Sequence, residues 1–490
     1  VKGRLLRFAG SLAAVPLMLA LAACHQWAAS ASAADLKACP TAEGPADAYC
    51  ATLDVFEDHA SGRRIPLHIV VLPALKQRGA RDPLFVLAGG PGEAAAQSAA
   101  EAQALFRPLQ KTRDIVLVDQ RGTGRSNPLV CKNRLAPVDP ATAAIARAQA
   151  CLVELKSRAD LTKYTTADAI EDLEAVRRFL GYAEINLYGV SYGTRPAMAY
   201  ARRYPSVARV IVLDGASPAA MRQPLYAPRD SQRALDRLVA DCEKSDRCAA
   251  RYPNLRQRIQ DLFAHLDRQS EPIHYSEPNT GLSSNLVARR RVVAQGLLLA
   301  LYSSNTAALV PLFIEQAENG DFSGFLAMSA AARVTLDKLA QGAFLSVLCN
   351  EDAPGLTSEA IEREAAGTFL GSEPGEQRVA ICAQWPRANI ATAADAGPSS
   401  VPALILSGEL DPVSPPSWGE YVVARWKNAR HIVVPGSGHQ TLTSGCVLTL
   451  VARFIDDGDA SHVDTSCLAA LHRPAFFVNP SGPVERPDTQ

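Results

Sequence analysis

The chain of 490 residues carries 50 Lys plus Arg against 50 Asp plus Glu, so its formal charge at neutral pH is zero. Nothing in that balance suggests a nucleic acid or other polyanionic partner. Hydrophobic residues make up 48%, enough for one large core with an accessory unit and too many for a largely disordered chain.

Lys2, Arg4 and Arg7 precede an apolar stretch over 12–21, the charge pattern of an export signal covering 1–23. The stretch is too short to span a bilayer, and no later run is long and apolar enough to do so. It ends in Leu21-Ala22-Ala23-Cys24, which resembles a bacterial lipoprotein cleavage box. Cys24 is then the lipidated first mature residue, and 24–45 a tether. Cleavage after Ala31-Ser32-Ala33 would instead leave a soluble exported protein. The expected location is the bacterial periplasm or outer surface, with a lipid at Cys24 as the one membrane attachment.

Pro83-Leu84-Phe85-Val86-Leu87-Ala88 reads as a buried strand that runs into Gly89-Gly90-Pro91-Gly92. Glycines there let backbone amides approach a ligand closely, and the proline fixes the course of the loop. A phosphate cradle is the other use of such a loop, but neither G-x-x-x-x-G-K-[ST] nor a helix-opening G-x-G-x-x-G is present, and no cofactor is implied. Val118-Asp119-Gln120-Arg121-Gly122-Thr123-Gly124-Arg125-Ser126 follows the next strand, where Asp119 and Arg121 read as a carboxylate and a guanidinium that pin a turn.

The apolar run Ile185-Asn186-Leu187-Tyr188 leads directly into Gly189-Val190-Ser191-Tyr192-Gly193, and Thr194 to Ala199 can continue as a helix. A serine on a sharp strand-to-helix turn has its hydroxyl held out at the carboxyl edge of a sheet. Ser191 is therefore the candidate nucleophile. The N–H of Tyr192 and that of Gly90 (or Gly89) are candidate donors to an oxyanion.

A strand over 207–214 closes the first half of a core that begins near residue 46. About 180 residues, 219–398, then separate it from the next strand. Apolar residues recur at helical spacing in 231–241, 255–266, 291–302 and 306–317, so this segment reads as a helical cap inserted into the core, which resumes over 399–490. Arg289-Arg290-Arg291 reads as a solvated helix face. Val401 to Leu406 is a buried strand ending in Gly408-Glu409-Leu410-Asp411-Pro412, and His431-Ile432-Val433-Val434 is another, ending in Gly436-Ser437-Gly438-His439. Asp411 and His439 thus stand just past consecutive strand ends, in the serine, acid, histidine order of one class of hydrolases. His439 is the candidate base and Asp411 its orienting acid, with Glu409 as a rival closer to the strand. The tail from Arg473 is proline-rich and reads as irregular.

Of 11 cysteines, setting Cys24 aside leaves ten, an even number that suits an oxidising compartment. Sequence does not fix connectivity. The simplest scheme pairs sequence neighbours: Cys39 with Cys50, Cys131 with Cys151, Cys242 with Cys248, Cys349 with Cys382, and Cys446 with Cys467. No metal site is expected, because neither C-x-x-C nor H-E-x-x-H occurs.

With Gly89 to Gly92, Asp119 to Ser126, Gly189 to Thr194, Gly408 to Pro412 and Gly438-His439 in order, the chain resembles the proline iminopeptidase and tripeptidyl aminopeptidase family of α/β-hydrolases. The resemblance implies an α/β-hydrolase core, a mostly parallel sheet with helices on both faces, carrying an inserted helical cap. It also implies an exported serine aminopeptidase, which releases one residue or a short peptide from a free amino terminus. Ala88 departs from the histidine that many proline iminopeptidases carry there, so strict proline selectivity is not implied. A cap acid that receives the substrate's ammonium is expected, and Cys349-Asn350-Glu351-Asp352 supplies Glu351 and, second, Asp352. An esterase using the same three residues is the rival within the fold, and a catalytically silent binding protein the rival outside it. Dehalogenases and epoxide hydrolases put aspartate where Ser191 stands.

Overall fold

A computed structural model describes residues 35–76, 81–132, 141–276, 281, 283–336, 338–388 and 398–483. The export segment 1–23, Cys24 and the tether up to residue 34 lie outside the described residues.

The strands of the main sheet are β1 (Lys37–Ala38), β2 (Tyr49–Asp58), β3 (Arg63–Leu72), β4 (Arg81–Leu87), β5 (Arg113–Val118), β6 (Ile185–Val190), β7 (Ala208–Asp214), β10 (Ala403–Gly408) and β11 (Ala429–Val434). A separate hairpin pairs β8 (Glu271–Ser276) with β9 (Ser283–Ala288). The sheet order is β1-β2-β3-β5-β4-β6-β7-β10-β11. From β5 to β11 every neighbouring pair is parallel, whereas β1, β2 and β3 add an antiparallel edge.

The strand sequences explain the two covered faces. Side chains alternate across a strand, so consecutive apolar residues need cover on both sides. In β7, Val210 and Val212 join the layer that holds Leu450 and Phe454 of helix Val447–Asp457. Ile211 and Leu213 join the opposite layer, with Val176 of helix Thr166–Leu180 and Met198 and Tyr200 of helix Thr194–Arg203. Because β4, β6, β7, β10 and β11 run parallel, their carboxyl ends open on one edge. That edge is where ligands approach in open α/β sheets.

Between β7 and β10 lie long helices, among them Gln223–Lys244, Leu255–Arg268, Arg290–Leu301 and Ser323–Leu336, which share an apolar cluster of their own. The helical reading over 306–317 differs in detail: helix Ser304–Ala307 ends and a new one, Val310–Glu318, begins with Pro311 in its first turn. A proline fits there because the first N–H groups of a helix have no partner to lose. A further cluster joins Ala340, Leu345, Ile381 and Trp385 to helix Ala141–Leu155 of the first half, so the cover over the sheet edge draws on both segments. The tail packs against this cover as well. Phe477 N–H donates to Ala308 O at 3.1 Å, and Tyr252 Oη donates to Phe477 O at 2.9 Å.

Disulfides join Cys39 to Cys50, Cys131 to Cys151, Cys242 to Cys248, Cys349 to Cys382 and Cys446 to Cys467. Each closes a short loop and so restrains the unfolded chain. Cys349–Cys382 also anchors the turn Leu348–Asp352 to helix Glu373–Cys382.

Candidate active site

β6 passes into helix Thr194–Arg203 through the single tight turn Ser191–Gly193. Ser191 adopts φ of 55°, a left-handed backbone that residues with a Cβ seldom take. The two motif glycines make room for it. A Cβ at Gly189 would lie 2.4 Å from Gly193 O, and one at Gly193 only 2.2 Å from Leu87 O at the end of β4. Thr194 Oγ1 donates to Ser191 O at 2.6 Å and accepts Ser217 N–H at 2.8 Å, which ties the turn to the segment after β7. Gly193→Ala is expected to abolish labelling of Ser191 by a fluorophosphonate and to lower the melting temperature by several degrees, since backbone on both sides cannot yield. Retained labelling at unchanged stability would show that the turn tolerates a wider separation.

The loops after β10 and β11 bring Asp411 and His439 together. His439 Nδ1 lies 2.9 Å from Asp411 Oδ2, and both residues are buried. Asp411 Oδ1 accepts the N–H groups of Val413 at 2.7 Å and Ser414 at 3.0 Å, while Ser414 Oγ donates to Oδ2 at 2.9 Å. Burial alone would raise the Asp411 carboxyl, but the imidazole and these donors hold it below its ordinary value. Burial likewise would lower His439, yet Asp411, with Asp214 and Glu93 behind it, lifts the imidazole above its ordinary value. The rival acid is engaged elsewhere: Glu409 accepts Arg237 Nη2 at 2.7 Å and Gly436 N–H at 2.9 Å.

Three residues absent from the sequence reading position this pair. Ser414 braces Asp411. Asp214, at the end of β7, accepts Thr441 Oγ1 at 2.7 Å and Tyr188 Oη at 3.0 Å, which fixes the chain two residues beyond the imidazole. Tyr302, at the end of helix Arg290–Leu301, accepts His439 N–H on its carbonyl at 2.9 Å, and its ring meets the imidazole edge-on at 5.3 Å. Asp214 and Tyr302 leave little in the sequence to find them by, since each comes from a distant segment, whereas Ser414 follows Asp411 by three positions. Among the described residues no hydrogen bond joins Ser191 Oγ to His439. Catalytic hydrogen bonds of this kind commonly tighten only in the substrate complex.

The loop after β4 faces Ser191. Gly89 N–H is already donated, to Glu93 Oε2 at 3.2 Å. Of the two glycines offered by the sequence, this leaves the Gly90 N–H for an oxyanion, together with the Tyr192 N–H in the first helical turn, where N–H groups lack helical partners. The cap presses on the same loop: Ala340 N–H donates to Gly92 O at 2.9 Å, and a Cβ at Gly92 would lie 2.9 Å from Ala340 O.

Glu351 and Asp352 sit beyond the side chain of Tyr192. Glu351 accepts Thr166 N–H at 2.6 Å and Thr166 Oγ1 at 2.8 Å, and Arg195 reaches Glu351 at 3.2 Å and Asp352 at 2.9 Å. Arg378 lies close enough for Asp352 to act on it, though burial pulls its guanidinium down to about 10. Two acids thus face two arginines in an interior where burial raises Glu351. Both carboxylates already have cations within the chain.

Asp119 accepts Ala96 N–H at 2.9 Å and Arg125 N–H at 3.0 Å, and Arg121 forms a two-pronged pair with Asp172 at 2.7 Å on each prong. These contacts fasten the turn after β5. Glu43, Cys50 and His68 approach one another closely, but the Cys50 sulfur is committed to Cys39. Among the described residues no helix is long and apolar enough to cross a membrane.

Several known proteins are similar to this chain. Serine protease Hip1 of Mycobacterium tuberculosis is 25% identical over 480 residues, covering 87% of this chain and 89% of that protein. Proline iminopeptidase of Neisseria gonorrhoeae is 30% identical over 133 residues, 27% of this chain and 32% of that one. The crystal structure of proline iminopeptidase from Mycobacterium smegmatis covers 84% of this chain and 99% of its own at 18% identity, with a TM-score of 0.38, too low to bear on the site. Residues 82–443 match the model of the alpha/beta hydrolase fold family. The chain belongs to that family, as a serine hydrolase with peptidase relatives.

Proposed function

We propose that this protein is an exported serine aminopeptidase acting on short peptides with a free amino terminus. The observation that carries the reading is the buried Asp411–His439 pair at 2.9 Å, at the same sheet edge as a serine on a strained turn. In the proposed reaction Ser191 Oγ attacks the scissile carbonyl carbon while His439 Nε2 takes its proton. The carbonyl oxygen, now anionic, accepts the N–H groups of Gly90 and Tyr192. Collapse of this intermediate breaks the C–N bond, and His439 returns the proton to the departing amine. Water, deprotonated by the same imidazole, then releases the acyl group from Ser191. Asp411 holds the Nδ1–H tautomer and stabilises the imidazolium.

Export is supported by the disulfides and by the basic-then-apolar start of the chain. A lipid at Cys24 would keep the enzyme at a membrane surface while the core stays in water. The defining experiment is a panel of peptides with free and acetylated amino termini, analysed by mass with Ser191→Ala as control. Acetylation is expected to reduce turnover at least 100-fold, on the order of one buried charged hydrogen bond or more. Equal turnover of both forms would favour the esterase-type reading of the same triad.

A further inference from the structure

Glu93 follows the Gly89–Gly92 loop and carries a carboxylate that the proposed reaction does not use. A single point, the Cβ position that Gly89 lacks, lies 3.3 Å from both Glu93 Oε2 and Ser191 Cβ. The carboxylate is therefore at the reacting centre. It is partly buried, and among the described residues the one cationic group acting on it is His439. Gly89 N–H donates to Oε2, and among the described residues no group donates a hydrogen bond to Oε1. Tyr302 borders the same space, since Glu93, Asp411 and the His439 ring all act on it or touch it. This contrasts with Glu351 and Asp352, whose charges Arg195 and Arg378 balance.

A partly buried carboxylate without a fixed cation carries a desolvation cost that an incoming cation offsets. Resting on the aminopeptidase reading, we propose that Glu93 receives the substrate's α-ammonium, and that the enzyme therefore removes a single residue at a time. The length follows from reach. With one residue released, the ammonium is separated from the scissile carbonyl carbon by a single Cα. With three released, it lies two residues farther, roughly 7 Å at about 3.5 Å per residue. A carboxylate beside Ser191 matches the first distance. Glu93 is thus a specificity-determining residue, and the part-exposed ring of Tyr302 forms one wall beside it.

The test compares an aminoacyl arylamide with a free amine, its N-acetyl form and p-nitrophenyl acetate, on wild type and Glu93→Gln. The variant should lose on the order of 10²-fold in kcat/KM on the free-amine substrate, and at least tenfold more there than on the acetate ester. Its preference for free over acetylated substrate should shrink by the same factor. Mass analysis of wild-type digests of a hexapeptide should show one residue as the first product. Equal losses on amide and ester would mean that Glu93 acts through His439 or the oxyanion loop, which overturns the assignment. First products of two or three residues overturn it as well. Wild type that ignores acetylation sinks the aminopeptidase reading itself, whereas a Gln variant that still demands a free amine sinks the Glu93 assignment alone. If the Gln variant fails to fold, Glu93→Asp retracts the charge by one methylene, and the loss should again concentrate on the amine substrate.

Discussion

Ser191→Ala is expected to reduce kcat by about 10⁶-fold while leaving the fold intact, because it removes the atom that forms the acyl bond and nothing that holds the turn. Among the described residues the hydroxyl makes no hydrogen bond that the backbone depends on; the Thr194 contact goes to the Ser191 carbonyl. An alanine there still has to accept φ of 55°, so the thermal transition should move little in either direction. The check is paired: turnover on the best peptide, and labelling by a fluorophosphonate, both lost together at unchanged melting temperature. Residual turnover above about one part in 10³ would point to another nucleophile or a contaminant.

Asp411→Asn should cost about 10⁴-fold in kcat, a smaller loss that comes by a different route. An amide can present its N–H₂ to Nδ1, which stabilises the tautomer with the proton on Nε2, the nitrogen that must accept the serine's proton. The pH profile adds a signature. Catalysis requires neutral His439, and the Asp411 carboxylate lifts the imidazole above its ordinary value against the pull of burial. The acid limb of kcat/KM in wild type should therefore lie above the ordinary histidine range, and in the Asn variant it should move down. An acid limb that stays in place would mean that Asp214 and Glu93 set the imidazole's titration. The stability signs follow from linkage. The raised His439 adds stability that is present at low pH and lost as pH rises through its folded value. The lowered Asp411 adds stability that is lost as pH falls through its own. Together they favour the folded state most between the two titrations, and Asp411→Asn should flatten that maximum.

The parts of the site that could be read from the sequence are the ones built from neighbours. The Ser191 turn announces itself because an apolar strand, two glycines and a helix-forming stretch are contiguous, and the loops holding Asp411 and His439 each follow a buried run directly. What escaped depends on segments far apart. Tyr302 reaches His439 across 137 positions through a backbone carbonyl, which has no residue preference to betray it. Glu93 looks like any acid after a glycine loop until Ser191 and His439 are folded beside it. Glu351 reads as an open carboxylate because nothing local reveals that Arg195, from the helix after the nucleophile, turns toward it. The hairpin β8–β9 lies in a stretch without helical periodicity, and its pairing is made within the cap rather than with the main sheet.

The cover over the sheet edge grips both halves of the machinery, through the Tyr302 carbonyl on one side and the Ala340 amide on the other. Swinging it wide would drag the imidazole loop out of register and slacken the glycine loop in the same movement. Admission of substrate and readiness for chemistry are thereby set against each other. On the proposed reading, small peptides that slip in beneath a nearly stationary roof gain most from that arrangement, and folded proteins are turned away at the threshold.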